Sequence, residues 1–134
     1  GLSGGGCRTV YLAGLDERIA AAVCAGMMTT WRDCSLWKGW THTWMVWTPH
    51  LARYLEYAEI LGLRAPKPTM VLNNEQDPLF TLEEMRRADD VLREVFEKAG
   101  AGDRYVCRFY PGPHKFDREM QEFAFSWLDE WLNK

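Results

Sequence analysis

Three short apolar runs, separated by stretches with helical spacing, set the tightest limit on how this chain folds. Residues 19–28, Thr69–Asn74 and Tyr105–Tyr110 are each apolar and short, and two are bounded by proline or glycine. Such runs read as strands buried on both faces, the habit of a parallel sheet. Helical patterns lie between and around them. Residues 7–15 carry Val10, Leu12, Ala13 and Leu15 after a glycine run, and residues 51–63 place Leu51, Tyr54, Leu55 and Ala58 on one face. Thr81 and Glu84 read as a capping box that opens a helix burying Met85, Ala88, Val91, Leu92, Val95 and Phe96, with Gly100 or Gly102 beyond its end. A last amphipathic helix, residues 117–132, presents Met120, Phe123, Ala124, Trp127, Leu128 and Trp131. Strands alternating with helices predict an α/β fold, a parallel sheet with flanking helices.

Composition narrows the function classes. With 16 basic and 19 acidic residues among 134, the net charge is −3. That gives no electrostatic footprint for nucleic acid or an anionic membrane. No apolar run approaches the roughly 18–20 residues of a membrane-spanning helix, and no signal-peptide pattern is present. Cys7, Cys24, Cys34 and Cys107 are widely spaced, without C-x-x-C or Cys/His spacing, and read as buried free thiols. No metal or other cofactor is expected, and the pattern is silent on oligomeric state.

Chemistry-bearing residues fall at the ends of the predicted strands. Gly1-Leu-Ser-Gly-Gly5 matches G-x-S-x-G, a tight turn between strand and helix that holds a serine hydroxyl at the carboxyl edge of a sheet. Tiny neighbours suit its strained backbone, and the N–H after the serine can face a developing oxyanion. A flexible glycine-rich terminus is the bland alternative. The strand ending at Asn74 leads into Glu75-Gln-Asp77-Pro-Leu-Phe80, and the strand ending at Tyr110 leads into Pro111-Gly-Pro-His114-Lys-Phe116. A carboxylate and an imidazole therefore follow consecutive strands, in the order Ser, acid, His. In that reading His114 takes the Ser3 proton while Asp77 orients the imidazole. Asp77 also suits a turn before Pro78, Glu75 competes as the acid, and His114 has a loop histidine's alternative of bonding a carbonyl.

Gly1-Leu-Ser-Gly-Gly-Gly6, the 73–80 acid loop and Tyr110-Pro-Gly-Pro-His-Lys-Phe116 together resemble the C-terminal half of an α/β-hydrolase. Within that superfamily the chain is most similar to dienelactone-hydrolase and acetyl-xylan-esterase-like serine hydrolases. The resemblance covers the whole chain, most loosely across residues 29–67. It implies Ser3 as nucleophile, Asp77 as acid, His114 as base and the Gly4 N–H as one oxyanion donor, with no cofactor. It implies a small-molecule or carbohydrate ester as substrate, cleaved through an acyl-enzyme. It further implies a partial domain over residues 1–134 that starts at the nucleophile turn, with the earlier strands and the second oxyanion donor outside the sequence. A fragment so cut is expected to be inactive or nearly so. A prolyl-oligopeptidase-like peptidase shares this fold half and triad order, and a non-catalytic binding module is a third reading.

Residues 29–67 form an aromatic-rich insertion or cap. Trp37, Trp40, Trp44 and Trp47 are spaced three, four and three apart, which would align them on one face of a helix, although Gly39, Thr41 and Thr43 weaken it. Trp31 and Trp44 are candidate substrate-binding residues, with aromatic rings lining an acyl pocket or stacking on a sugar. Packing is the competing reading and the favoured one. His42 and His50 have no partner at metal-ligand spacing and read as surface or hydrogen-bonded histidines.

Overall fold

The computed structural model describes residues 1–42 and 46–133. Among them three parallel strands, β1 (Ala22–Ala25), β2 (Thr69–Asn74) and β3 (Tyr105–Tyr110), form a sheet in the order β1-β2-β3. Ala22 pairs with Thr69, and Thr69 with Tyr105, so the strands start level. β2, the central strand, is buried along its whole length, as its unbroken apolar start demands. The chain start runs along the free edge of β1: Leu2 bridges Ala25, the Ser3 N–H donates to the Ala25 carbonyl at 2.9 Å, and the Ala25 N–H donates to Gly1 O at 2.9 Å.

Side-chain alternation along the strands sorts the core into two layers. Cys24, Val71 and Tyr105 face one side, where α1 (Gly4–Leu15), α2 (Tyr57–Gly62) and α3 (Leu82–Lys98) bury Val10, Ile60, Leu92 and Phe96. Ala25, Met70, Leu72 and Tyr110 face the other, under Met120 and Ala124 of α4 (Arg118–Leu132). The expected covering of both faces is present.

Several expected boundaries shift for identifiable reasons. β1 is shorter than residues 19–28 because Gly26, at φ +55°, turns the chain out of the sheet. Residues 51–63 are not one helix. A 3₁₀ turn at Leu51–Arg53 precedes α2, whose start is fixed by a reciprocal capping box between Glu56 and Glu59. Tyr54, expected on the buried face, is 80% exposed.

The Thr81–Glu84 box does not form. Thr81 occupies the N-cap position without a capping bond, and its hydroxyl and N–H both donate to the buried Asp33 carboxylate, at 3.0 and 2.9 Å. Glu84, fully buried, accepts from the Thr30 hydroxyl at 2.5 Å. Two carboxylates thus tie residues 29–33 to the start of α3. Among the described residues of the tryptophan segment, a π turn at Asp33–Trp37 is followed by a 3₁₀ turn at Gly39–Thr41 in place of the expected helix. Of the tryptophans expected on one face, Trp37, Trp40 and Trp47 are all exposed, Trp40 at 83%, and Trp44 lies outside the described residues.

Candidate active site

Ser3 sits where the chain leaves the sheet edge and enters α1. Its backbone lies at φ +55°, ψ −119°, in a region that a residue with a side chain occupies only when surrounding structure holds it there. The holding bonds are the Ser3 N–H to Ala25 O and the Cys7 N–H to Ser3 O, each 2.9 Å. Gly6 lets the helix start approach β1: a Cβ there would stand 2.7 Å from the Met27 Cβ and 2.9 Å from the Ala25 carbonyl. The Ser3 hydroxyl makes no capping bond, and no acidic residue lies in the first turn of α1. Gly4 opens the helix, where N–H groups lack intrahelical partners and the helix dipole is positive.

Asp77 and His114 meet across the loops that follow β2 and β3. The His114 Nδ1 lies 2.5 Å from Asp77 Oδ2, while Asp77 Oδ1 accepts the Leu79 N–H at 2.9 Å. The carboxylate therefore fills the turn role before Pro78 and also holds the imidazole. Its side chain is shielded from solvent and that of His114 is 22% exposed. Glu75, the competing acid, turns instead to Arg86 at 3.4 Å. The two loops are fastened to each other. The Glu75 N–H donates to Tyr110 O, the Gln76 N–H to Gly112 O, the Lys115 N–H to the Asn74 side chain, and the Gly112 N–H to the Gln76 side chain.

Gly26 links the two halves. It follows Ala25, the residue bonded to Ser3, and its missing side chain makes room for the imidazole. A Cβ at Gly26 would lie 2.9 Å from His114 Cε1 and 3.2 Å from the Leu2 side chain. Sequence reasoning absorbed Gly26 into a strand; a glycine at a strand end was the available signal.

Ser3, Gly4 and Cys7 also line a cavity of about 70 Å³, whose far wall is Leu79 and Phe80 with Thr41 and His42. The His42 ring stacks on Phe80, centroids 5.0 Å apart, and its Nε2 is buried with no hydrogen-bond partner among the described residues. Burial lowers the His42 pKa from 6.5, against the opposing pull of Asp33 and Asp77. Trp31 is not in this wall. It is a packing residue, 8% exposed, with its indole N–H donating to Leu55 O at 2.7 Å and its ring edge-on to Tyr57. Trp44 lies outside the described residues. His50 is exposed and in left-handed backbone geometry. No group of three or more His, Cys, Asp or Glu among the described residues could hold a metal.

No family model matches the chain. A Bacillus subtilis (strain 168) protein named "Putative hydrolase YtaP" is 30% identical over 136 residues, which takes in 98% of this chain and 44% of that protein. Among solved structures, the family 15 carbohydrate esterase (glucuronoyl esterase) of Caldicellulosiruptor kristjansonii superposes with a TM-score of 0.80 at 18% identity, over 99% of this chain and 42% of its own. Methylesterase BT1017 gives 0.77 at 20% identity, over 99% of this chain and 29% of its own. The fold is that of part of an α/β-hydrolase. The chain spans less than half the length of each of these proteins. Ser3 follows the Leu2–Ala25 bridge, and Asp77 and His114 lie in the loops after the carboxyl ends of β2 and β3, the sheet edge where α/β folds build sites.

Proposed function

We propose that this chain carries the nucleophile, acid and base of a serine hydrolase that cleaves carboxylic esters. The observation that carries the reading is the Asp77–His114 contact of 2.5 Å, seated against Gly26 beside the strained turn at Ser3.

The Ser3 hydroxyl attacks the ester carbonyl carbon as His114 Nε2 takes its proton, and the carbonyl π electrons move onto oxygen. The Gly4 N–H, at the positive end of α1, faces that oxyanion. Collapse re-forms the carbonyl and breaks the bond to the alcohol, which leaves with the proton from His114. Water then repeats the sequence on the acyl-Ser3 and frees the acid. Asp77 fixes the Nδ1–H tautomer and stabilises the imidazolium. The named esterase neighbours favour an ester over a peptide bond, and a small-molecule or carbohydrate ester as substrate.

A fluorophosphonate probe applied to the protein as its gene encodes it, with p-nitrophenyl acetate turnover in parallel, tests the assignment. Labelling that disappears in Ser3→Ala, with turnover, is the expected result. Labelling that persists in Ser3→Ala, or a folded protein that neither labels nor turns over, overturns it.

A further inference from the structure

Asp77 and His114 stand on separate loops, and one contact between side chains cannot by itself hold two loops in register. Asn74, the last residue of β2, bonds to both. Its backbone carbonyl accepts the Asp77 N–H at 3.2 Å, so the main chain of the acid hangs from it. Its side-chain Oδ1 accepts the N–H of Lys115, the residue after the base, also at 3.2 Å. The acid and the segment bearing the base are thereby referred to a single buried point at the end of the central strand.

Packing alone does not call for an asparagine here. Met70 and Leu72 precede it on the same face of β2 and are apolar, as burial under α4 demands. Asn74 is 0% exposed, so its carboxamide is desolvated at a cost that hydrogen bonds must offset. The Lys115 N–H can only donate, which fixes the oxygen of the carboxamide toward it and leaves Nδ2 to the Met120 sulfur at 3.5 Å. Met120 is itself fully buried, so the carboxamide is held from the α4 side as well. Without that oxygen, a part-buried N–H beside His114 would lose its acceptor, and the loop would shift to find another. A displacement of about 1 Å in a catalytic group costs on the order of 10²-fold in rate. Resting on the serine-hydrolase reading above, we propose that Asn74 is a positioning residue: acting through Lys115, it sets the pose from which the His114 imidazole meets Asp77 and reaches Ser3.

The test uses the protein as its gene encodes it, in native form and as Asn74→Leu and Asn74→Asp. Leucine keeps the volume and removes the acceptor, whereas aspartate returns an oxygen to the Lys115 N–H. Turnover of p-nitrophenyl acetate is measured alongside the downfield proton resonance of the Asp77–His114 hydrogen bond, recognised by its loss in His114→Gln. For Asn74→Leu the expected result is a kcat lower by about 10- to 100-fold, a KM within about twofold of native, and a shifted or broadened resonance. Asn74→Asp is expected to recover most of the kcat and the native resonance. A folded Asn74→Leu with native kcat, a loss of kcat with the resonance unmoved, or a loss that aspartate does not reverse overturns the role of Asn74, while labelling of Ser3 leaves the hydrolase reading standing. A folded native protein that neither labels nor turns over overturns both. If Asn74→Leu does not fold, Asn74→Ala takes its place under the same criteria.

Discussion

At the scale of single residues, the site rests on what is missing from Gly26 as much as on what Asp77 supplies. Gly26→Ala would place a methyl group 2.9 Å from the His114 ring at a backbone angle that disfavours side chains. We predict a loss of about 10²-fold in esterase kcat, the scale set by a misplaced catalytic group, with a lowered Tm. Asp77→Asn leaves the size of the side chain but favours the wrong imidazole tautomer. Its expected cost is about 10³–10⁴ in kcat, with fluorophosphonate labelling slowed in step. His42 titrates in the opposite sense to a partnered histidine. Its folded pKa lies below the unfolded value of 6.5, so its ionisation takes nothing from stability well above pH 6.5. As pH falls from there the unfolded chain binds a proton that the folded one resists, and stability drops until the folded pKa is passed. Urea unfolding at pH 7.5 and pH 5.5 should show a smaller loss in His42→Gln than in the native protein.

At the scale of elements, the sequence was legible where structure is local. β2, β3 and the span of α4 follow from apolar period and from Asp117, whose carboxylate accepts the Met120 N–H at 3.2 Å. The stretch from residue 29 to 56 was not legible, because partners distant in the chain hold it. Asp33 reaches Thr81, Thr30 reaches Glu84, and Glu56 accepts the Trp31 N–H. No periodicity encodes such bonds, and Thr81 with Glu84 mimicked a capping box whose side chains were committed elsewhere. Asp33→Ala would strand the Thr81 donors and the Thr29 hydroxyl, which donates to Asp33 at 2.8 Å, and leave Thr30–Glu84 as the remaining tie to α3. We predict a loss of about 2–4 kcal/mol in unfolding free energy by urea titration, about the penalty for buried donors left unpaired.

At the scale of the whole molecule, the two-layer core leaves its thiols chemically quiet. Burial pushes the Cys24 thiol up to about 12 and raises those of Cys7, Cys34 and Cys107. Native protein at pH 8 is expected to react slowly with a thiol reagent, and all four cysteines rapidly in denaturant. Fast labelling of several thiols without unfolding would contradict the packing described. That Asp77 and His114 meet was readable because a parallel sheet delivers successive loops to one edge. The cavity at His42 was not, since Ser3, Met27, His42 and Phe80 of its lining lie far apart in the sequence.

The loops bearing Asp77 and His114 are laced together by backbone and side-chain bonds, whereas Ser3 belongs to a separate edge of the sheet. In the proposed mechanism acid and base would thus move as one unit facing a separately mounted nucleophile. Breathing of the sheet would then alter the gap to Ser3 before it alters the pairing of imidazole and carboxylate. Tuning of rate in such a molecule, by mutation or by a neighbouring body pressing on β1, would act through that single gap.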